Sequence, residues 1–360
     1  MSDDGLEAIL DSLSKDKKFT VPVMRMSSEK VLAKVPGYIS SGFLALDALL
    51  GGGYPVRRIV EVYGENSSGK SMLATYAAIE ADKQDALVVY ADVEVALGID
   101  RMEKLGFPFD RCLYAAPNSL EETFTLFERM VQEKTEKFGV DKVLFFVIDS
   151  VAALVTADEL ETDKSGNNYE TRNYPTAARN ISGAMRKLKN LVAANNVCLF
   201  LVNQTRQKLG VMFGDGVTTY GGEAIKFYSS VRVELQNTGK LSEGTGRNKD
   251  ILGINTRFTT VKHRLTAPYQ SIVLPIYYDD RALDGDELLF NLLKDNGYLG
   301  QAGSWYTLNL GTEEEPDEVK FMAKEFAEKV VLPRWDDLRE FIEDMWGVEL
   351  PHNYTRKEQE

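Results

Sequence analysis

Residues 64–71 read GENSSGKS, which is the pattern G-x-x-x-x-G-K-[ST]. Gly64 and Gly69 let the backbone curl so that the N–H groups of Glu65, Asn66, Ser67 and Ser68 face a phosphate. A helix opening at this point adds the positive end of its dipole. Lys70 reaches the terminal phosphates of a nucleoside triphosphate, and the Ser71 hydroxyl binds Mg2+. The competing reading is an ordinary Gly/Ser turn. The surroundings weigh against it, because an apolar strand precedes the pattern and a helix follows, as the mechanism requires.

A cation at Ser71 needs a carboxylate nearby. Asp149 ends the apolar run VLFFVI (143–148) and suits the task of holding Mg2+ through water. An aspartate capping the next segment would look the same. Hydrolysis also needs a group that orients or deprotonates the attacking water. Asp92 and Glu94 lie just past the run ALVVYA (86–91), at the carboxyl edge where ligands of such sheets bind. Glu94 is the expected base; the alternative is a surface-loop carboxylate.

Hydrophobic period supplies the elements that must position these groups. Residues 58–63 (RIVEVY), 86–91, 143–148 and 197–202 (VCLFLV) are expected strands. Helices are expected from Lys70, over 119–137 and over 179–194. Strand–helix alternation with fully apolar strands means an α/β fold on a mostly parallel central sheet. Leu6, Ile9, Leu10 and Leu13 recur at i, i+3, i+4, i+7, one stripe of an amphipathic helix. That stripe can pack on its own core or dock on a neighbour. The expected division is a helix and linker over 1–36, an ATPase core over 37–283, a small α+β domain over 284–346 holding all three tryptophans, and a charged tail over 347–360.

The 360 residues are 44% hydrophobic and 27% charged, an ordinary soluble composition. No apolar stretch is long enough to span a membrane. The charged N-terminus lacks the apolar region of a secretory signal, so the chain is expected in the cytoplasm. Two cysteines and two histidines exclude a disulfide scaffold and a Cys/His metal site. A net charge of −13 argues against coating nucleic acid by bulk charge. Yet residues 176–208 hold no carboxylate and carry Arg179, Arg186, Lys187, Lys189, Arg206 and Lys208. A solvated face is the alternative reading of that run. Gly210, Gly214, Gly216, Gly221 and Gly222 make 209–222 a mobile loop, with Leu209, Val211, Met212 and Phe213 as apolar wedges for base steps or as core residues.

The phosphate loop together with SSGFLALDALLGGGYPVRRIVEVYG (40–64), DVEVALGIDRMEKLG (92–106), VIDSVAALV (147–155) and AARNISGAMRKLKNL (177–191) resembles the RecA recombinase family in its bacterial form. NQTRQKLGVMFG (203–214), TTYGGEAIKFYSSVR (218–232) and VKHRLTAPY (261–269) continue the likeness, which is dense over roughly 40–270. The resemblance implies a RecA-like P-loop core with ATP and Mg2+ as cofactors. It implies DNA loops at about 157–178 and 205–222. It implies filaments of the chain on single-stranded DNA, pairing with homologous double-stranded DNA, and single-strand-binding and mediator proteins as partners.

Position by position, the resemblance makes Glu94 the water-activating glutamate. Gln204 becomes a γ-phosphate sensor at the root of the second DNA loop, although by its own sequence Gln204 or Asn203 could equally cap that strand edge. Lys262 and Arg264 match cations that cross to a neighbour's ATP. Arg101 stands where the family has a tyrosine stacked on adenine, Gly98 where it has an aspartate, and Gln236-Asn237 where it has paired arginines. Tyr174, Arg179, Arg186, Arg206, Lys208, Leu209, Val211, Gly221 and Gly222 match DNA-contacting positions. The helix with Leu6, Ile9, Leu10 and Leu13 matches the polymerisation arm. Two alternatives share the core: a ring-forming helicase or translocase, and an ATP-gated coat on single-stranded DNA with little turnover.

Overall fold

The computed structural model describes residues 3–16, 22–28, 31–157, 174–207, 217–243, 250–279, 281–312 and 314–351. Contacts divide the chain into two units, residues 1–36 and 37–360. In the first, helix α1 spans Asp3–Lys15. Leu6 and Ile9 are exposed, Leu10 and Leu13 half-buried. Arg25 pairs with Glu7 at 2.7 Å within this unit.

The second unit begins with β1 (Tyr38–Ile39), α2 (Leu44–Leu49) and β2 (Tyr54–Pro55). Alternation follows: β3 (Arg58–Gly64), α3 (Lys70–Lys83), β4 (Leu87–Asp92), α4 (Ile99–Lys104), β5 (Cys112–Ala115), α5 (Leu120–Phe138) and β6 (Leu144–Asp149). Then come α6 (Tyr174–Ala194), β7 (Val197–Gln207), β8 (Val217–Thr219), α7 (Gly222–Tyr228), β9 (Val231–Glu243), β10 (Asp250–His263) and β11 (Ser271–Tyr277). The chain finishes with α8 (Gly285–Asp295), a three-stranded sheet of β12 (Leu299–Ala302), β13 (Trp305–Asn309) and β14 (Glu318–Met322), and α9 (Trp335–Trp346).

Among the described residues the central sheet has nine strands in the order β11-β10-β9-β3-β7-β6-β4-β5, with β8 paired to β7. From β9 to β5 every neighbour is parallel, and β10 and β11 extend the sheet antiparallel. Alternate residues of each strand face opposite sides. Val60, Val62, Val88, Tyr90, Phe145, Val147, Phe200 and Val202 meet Leu73, Ala74 and Ala77 of α3. Ile59, Val89, Phe146, Ile148, Leu199 and Leu201 meet Phe127 of α5 and Ile181, Met185 and Leu188 of α6. The strands are mostly apolar because both faces are covered. The C-terminal helix and sheet enclose an aromatic group in which the Phe290 ring lies 5.0 Å from Tyr306 and 5.5 Å from Phe326.

Two elements run further than the period predicts. Helix α6 starts at Tyr174 rather than 179, with Pro175 in the first turn, where a missing N–H costs nothing. Strand β7 continues past the apolar run to Gln207. Its polar end leaves the core, and β8 supplies the ladder there through Thr205↔Thr219 and Arg206↔Thr218.

A Cβ on Gly64 would meet Leu235 O of β9 at 2.2 Å, whereas one on Gly183 of α6 meets nothing within 4 Å. Gly64→Ala is therefore expected to cost about 1–3 kcal/mol or more, as overpacking against rigid backbone does. Gly183→Ala is expected to be neutral or stabilising. Urea denaturation of both variants separates the two cases.

Candidate nucleotide-binding site

Parallel pairing sets Gly64 beside Gln204 and Asp92 beside Asp149. β3, β4 and β6 thus end, and β7 passes, at one carboxyl edge of the sheet, the usual ligand side of such folds. A cavity of about 470 Å3 opens there, lined by Ser67–Met72, Asp92, Glu94, Arg101, Asp149 and Tyr277 among others.

The loop from Gly64 to Ser71 turns through left-handed residues, Ser67 with φ 59° and Gly69 with φ 93°. Gly69 is required twice over, since a Cβ would also press Ile276 Cδ1 at 3.0 Å. Ser68 Oγ donates to Glu65 O at 2.8 Å and tightens the turn. Lys70 is only 7% exposed. Its Nζ donates to Gly64 O at 3.2 Å and Glu65 O at 2.5 Å. Burial lowers the pKa of the ammonium, and the carboxylates of Asp149, Glu94 and Glu65 oppose that shift.

Asp149 is buried and accepts from Tyr90 Oη at 2.9 Å and from the Ser71 hydroxyl. Burial raises its pKa, the Ser71 and Tyr90 hydrogen bonds oppose the rise, and the nearby Glu94 and Asp92 charges add to it. One carboxylate and one hydroxyl already in contact form an all-oxygen donor pair, the chemistry that suits Mg2+. Among the described residues no group of three or more His, Cys, Asp or Glu side chains is arranged to hold a metal. A cation at this point would therefore rely on Ser71, Asp149, water and the phosphates.

The two carboxylates after β4 have different surroundings. Asp92 is buried and accepts from Ala96 N at 3.3 Å, Leu97 N at 3.4 Å and Tyr114 Oη at 3.4 Å, so it shapes the turn. Glu94 is exposed on that turn. Its Oε1 accepts from Ser150 Oγ at 2.5 Å and from Gln204 Nε2 at 2.8 Å. Gln204 and Glu94, 110 residues apart in sequence, are in direct contact beside the cavity.

Arg101 forms part of the cavity wall, with Nη2 donating to Tyr277 O at 3.1 Å. Ile276, Tyr277 and Tyr278 of and after β11 line the same wall. Sequence reasoning missed these three, because nothing local marks them and only the antiparallel return of β11 brings them here. Lys262 and Arg264 are not among the cavity-lining residues of their own chain. Lys262 Nζ donates to Lys226 O at 2.5 Å and Phe227 O at 3.0 Å, and Arg264 Nη2 donates to Phe227 O at 2.8 Å. Both cations thus cap the last carbonyls of α7. Burial, with Arg264 and Arg232 close by, brings Lys262 down to about 8.

Arg179 and Arg186 are exposed on α6. Arg206 is exposed on β7, its guanidinium 4.6 Å from the Tyr220 ring centre. Tyr174 opens α6. Gly221 (φ 85°) and Gly222 (φ 66°) start α7 in left-handed backbone. Lys208, Leu209, Val211, Met212 and Phe213 lie outside the described residues, as do 158–173 of the expected first loop and 352–360 of the tail.

The sequence profile of the RecA N-terminal domain matches residues 5–282. Protein RecA of Geobacter sulfurreducens is 36% identical over 287 residues, 79% of this chain and 79% of that protein. Protein RecA of Citrifermentans bemidjiense is 33% identical over 328 residues, 87% and 90% of the two chains. The chromosomal Protein RecA of Lactococcus lactis subsp. lactis is 35% identical over 305 residues, 84% of this chain and 75% of that one.

A raised pKa means that the folded chain holds the Asp149 proton more tightly than the unfolded chain does. Above the ordinary carboxyl value of 3.8, ionisation of Asp149 opposes folding, and this contribution to stability falls as pH rises through the folded-state pKa. Asp149→Asn is thus expected to raise the thermal midpoint of the nucleotide-free protein at pH 7 while losing Mg2+-dependent nucleotide binding. Calorimetry and nucleotide titration with and without Mg2+ check both halves. A lower midpoint with unchanged binding would remove the assigned role.

Proposed function

The chain belongs to the RecA family, and from that premise we propose that this recombinase of DNA repair polymerises on single-stranded DNA, hydrolyses ATP there and exchanges strands with homologous double-stranded DNA. One observation carries the reading: the Gln204–Glu94 hydrogen bond at 2.8 Å joins the strand that leads into residues 208–216 to the carboxylate beside the phosphate loop. A change at either end can reach the other through that contact.

The N–H groups of the loop and Lys70 grip the β- and γ-phosphates of ATP. Mg2+, held by Ser71 and through water by Asp149, would neutralise charge on the phosphate oxygens. Glu94 takes the proton of the attacking water, and Gln204 senses the γ-phosphate. Lys262 and Arg264, which match the family's interface cations and lie outside the cavity of their own chain, serve a neighbour's ATP in this reading, as cations supplied in trans do. Hydrolysis then depends on assembly. The α1 stripe of Leu6, Ile9, Leu10 and Leu13 docks on the next copy, and a head-to-tail contact of this kind generates a helix.

DNA is held mainly through phosphates by Arg179, Arg186, Arg206 and Lys208, which sets affinity and salt dependence without reading sequence. Recombination requires that indifference, because base pairing does the reading. Leu209, Val211 and Tyr174 open base steps, and Gly221 and Gly222 complete the DNA-contacting set.

The decisive measurement is the ATPase rate with and without single-stranded DNA, beside negative-stain images. Turnover should rise with DNA and filaments should form; full turnover by dilute, DNA-free protein would leave only a generic hydrolase. Glu94→Gln should bind ATP and DNA normally and lose hydrolysis by roughly 10²–10⁴-fold. Arg206→Ala should weaken DNA binding evenly across sequences and reduce the salt slope by about one, and an unchanged slope would mean that it touches no phosphate.

A further inference from the structure

Glu61 interrupts the apolar strand Ile59-Val60-Glu61-Val62 and has no exposure to solvent. It faces the side of the sheet that Ile59 and Leu201 share, because alternation fixes its direction. Its two oxygens serve different partners. Oε2 accepts from Arg232 Nε at 2.5 Å, and Oε1 accepts from Asn203 Nδ2 at 2.8 Å. Arg232 is buried directly opposite Glu61 in the β3–β9 ladder, with its guanidinium 4.6 Å from the Tyr63 ring centre.

Asn203, fully buried, spends its whole amide on three neighbours. Nδ2 donates to Glu61 and to Tyr220 O at 2.9 Å, while Oδ1 accepts from Gln204 N at 2.9 Å. Tyr220 N in turn donates to Gln204 O at 3.4 Å, and Tyr220 Oη donates to Leu154 O at 2.9 Å. Asn203–Gln204 and Tyr220 flank residues 208–216 on either side. One buried carboxylate therefore ties both sides of that segment to the strand that ends in the phosphate loop.

Stability does not account for the charge pair. Apolar residues of similar volume commonly replace a buried ion pair at no loss, or with a gain. What apolar residues cannot do is orient the Asn203 amide. We propose that Glu61 and Arg232 are positioning residues for hydrolysis: they fix Asn203, which holds the Gln204 main chain against Tyr220 so that the Gln204 side chain meets Glu94. The inference rests on the reading that Glu94 and Gln204 act in DNA-dependent hydrolysis. None of Glu61, Asn203 and Arg232 lines the nucleotide cavity, so loss of the arrangement should alter kcat and spare ATP binding.

The test is the double variant Glu61→Met/Arg232→Met, with Asn203→Ala as the second route should the double variant not fold. Each is assayed for thermal midpoint, KM for ATP and kcat at saturating single-stranded DNA. The expected result is a midpoint near that of the unaltered protein, an unchanged KM and a DNA-stimulated kcat lower by roughly 10- to 100-fold, the scale of a small misplacement near reacting groups. A folded double variant or Asn203→Ala with full DNA-stimulated kcat overturns the proposal. A raised KM together with a lowered kcat and midpoint overturns it too, because that is the signature of a structural role. If the unaltered protein is not stimulated by DNA at all, the functional reading itself fails, and the two failures are distinct.

Discussion

Strands β3, β7, β6 and β4 bring Gly64, Gln204, Asp149 and Asp92 together at one edge because their parallel ladders run without a shift. Every group assigned to chemistry in the cavity hangs from this register. A slip of one residue in any of the four strands would turn its side chains to the opposite face. Side-chain fit holds the register, since Val60, Phe145 and Phe200 pack in one layer and Ile59, Phe146 and Leu199 in the other, each against a different set of helices. Burial on both faces of the sheet is thus what aims the site.

That edge is a crowded electrostatic place. A nearly buried ammonium at Lys70 lies among Asp149, Glu94 and Glu65, and burial works against the charged form of both Lys70 and Asp149. Lys70 meets the cost by donating to loop carbonyls, and Asp149 by accepting from two hydroxyls. Unlike charges in a low-dielectric cleft also attract and bind more strongly there than in water. The same desolvation that weakens the fold locally makes the site receptive to a polyanion and its cation.

The two sides of the sheet take different shares of the work. The side facing α3 is apolar from Val60 to Val202 and supports the helix that carries Lys70 and Ser71. The other side is apolar only as far as Leu201, where Glu61, Asn203 and Arg232 replace it with a hydrogen-bonded polar group. Beyond that point β7 leaves the core and β8 takes over its ladder. Lys262 and Arg264, at the end of β10, cap α7 on the flank of this region rather than the cavity.

Sequence alone determined what short range can determine. Eight residues contain the whole phosphate loop, because backbone N–H groups and one lysine need no distant partner, and short continuous apolar runs between helical segments marked the alternating strands and helices. Asp149 was readable because it ends an apolar run. Both Asp92 and Glu94 line the cavity, and spacing did not tell which is spent on the turn, since that depends on Ala96 and Leu97 closing on Asp92. Gln204 against Glu94, the wall of Ile276 and Tyr277, the hold of Lys262 and Arg264 on the end of α7, and the Glu61–Arg232–Asn203 group were decided only by tertiary structure. Each joins strands far apart in the chain, and sheet order, which no local pattern encodes, sets which of them become neighbours.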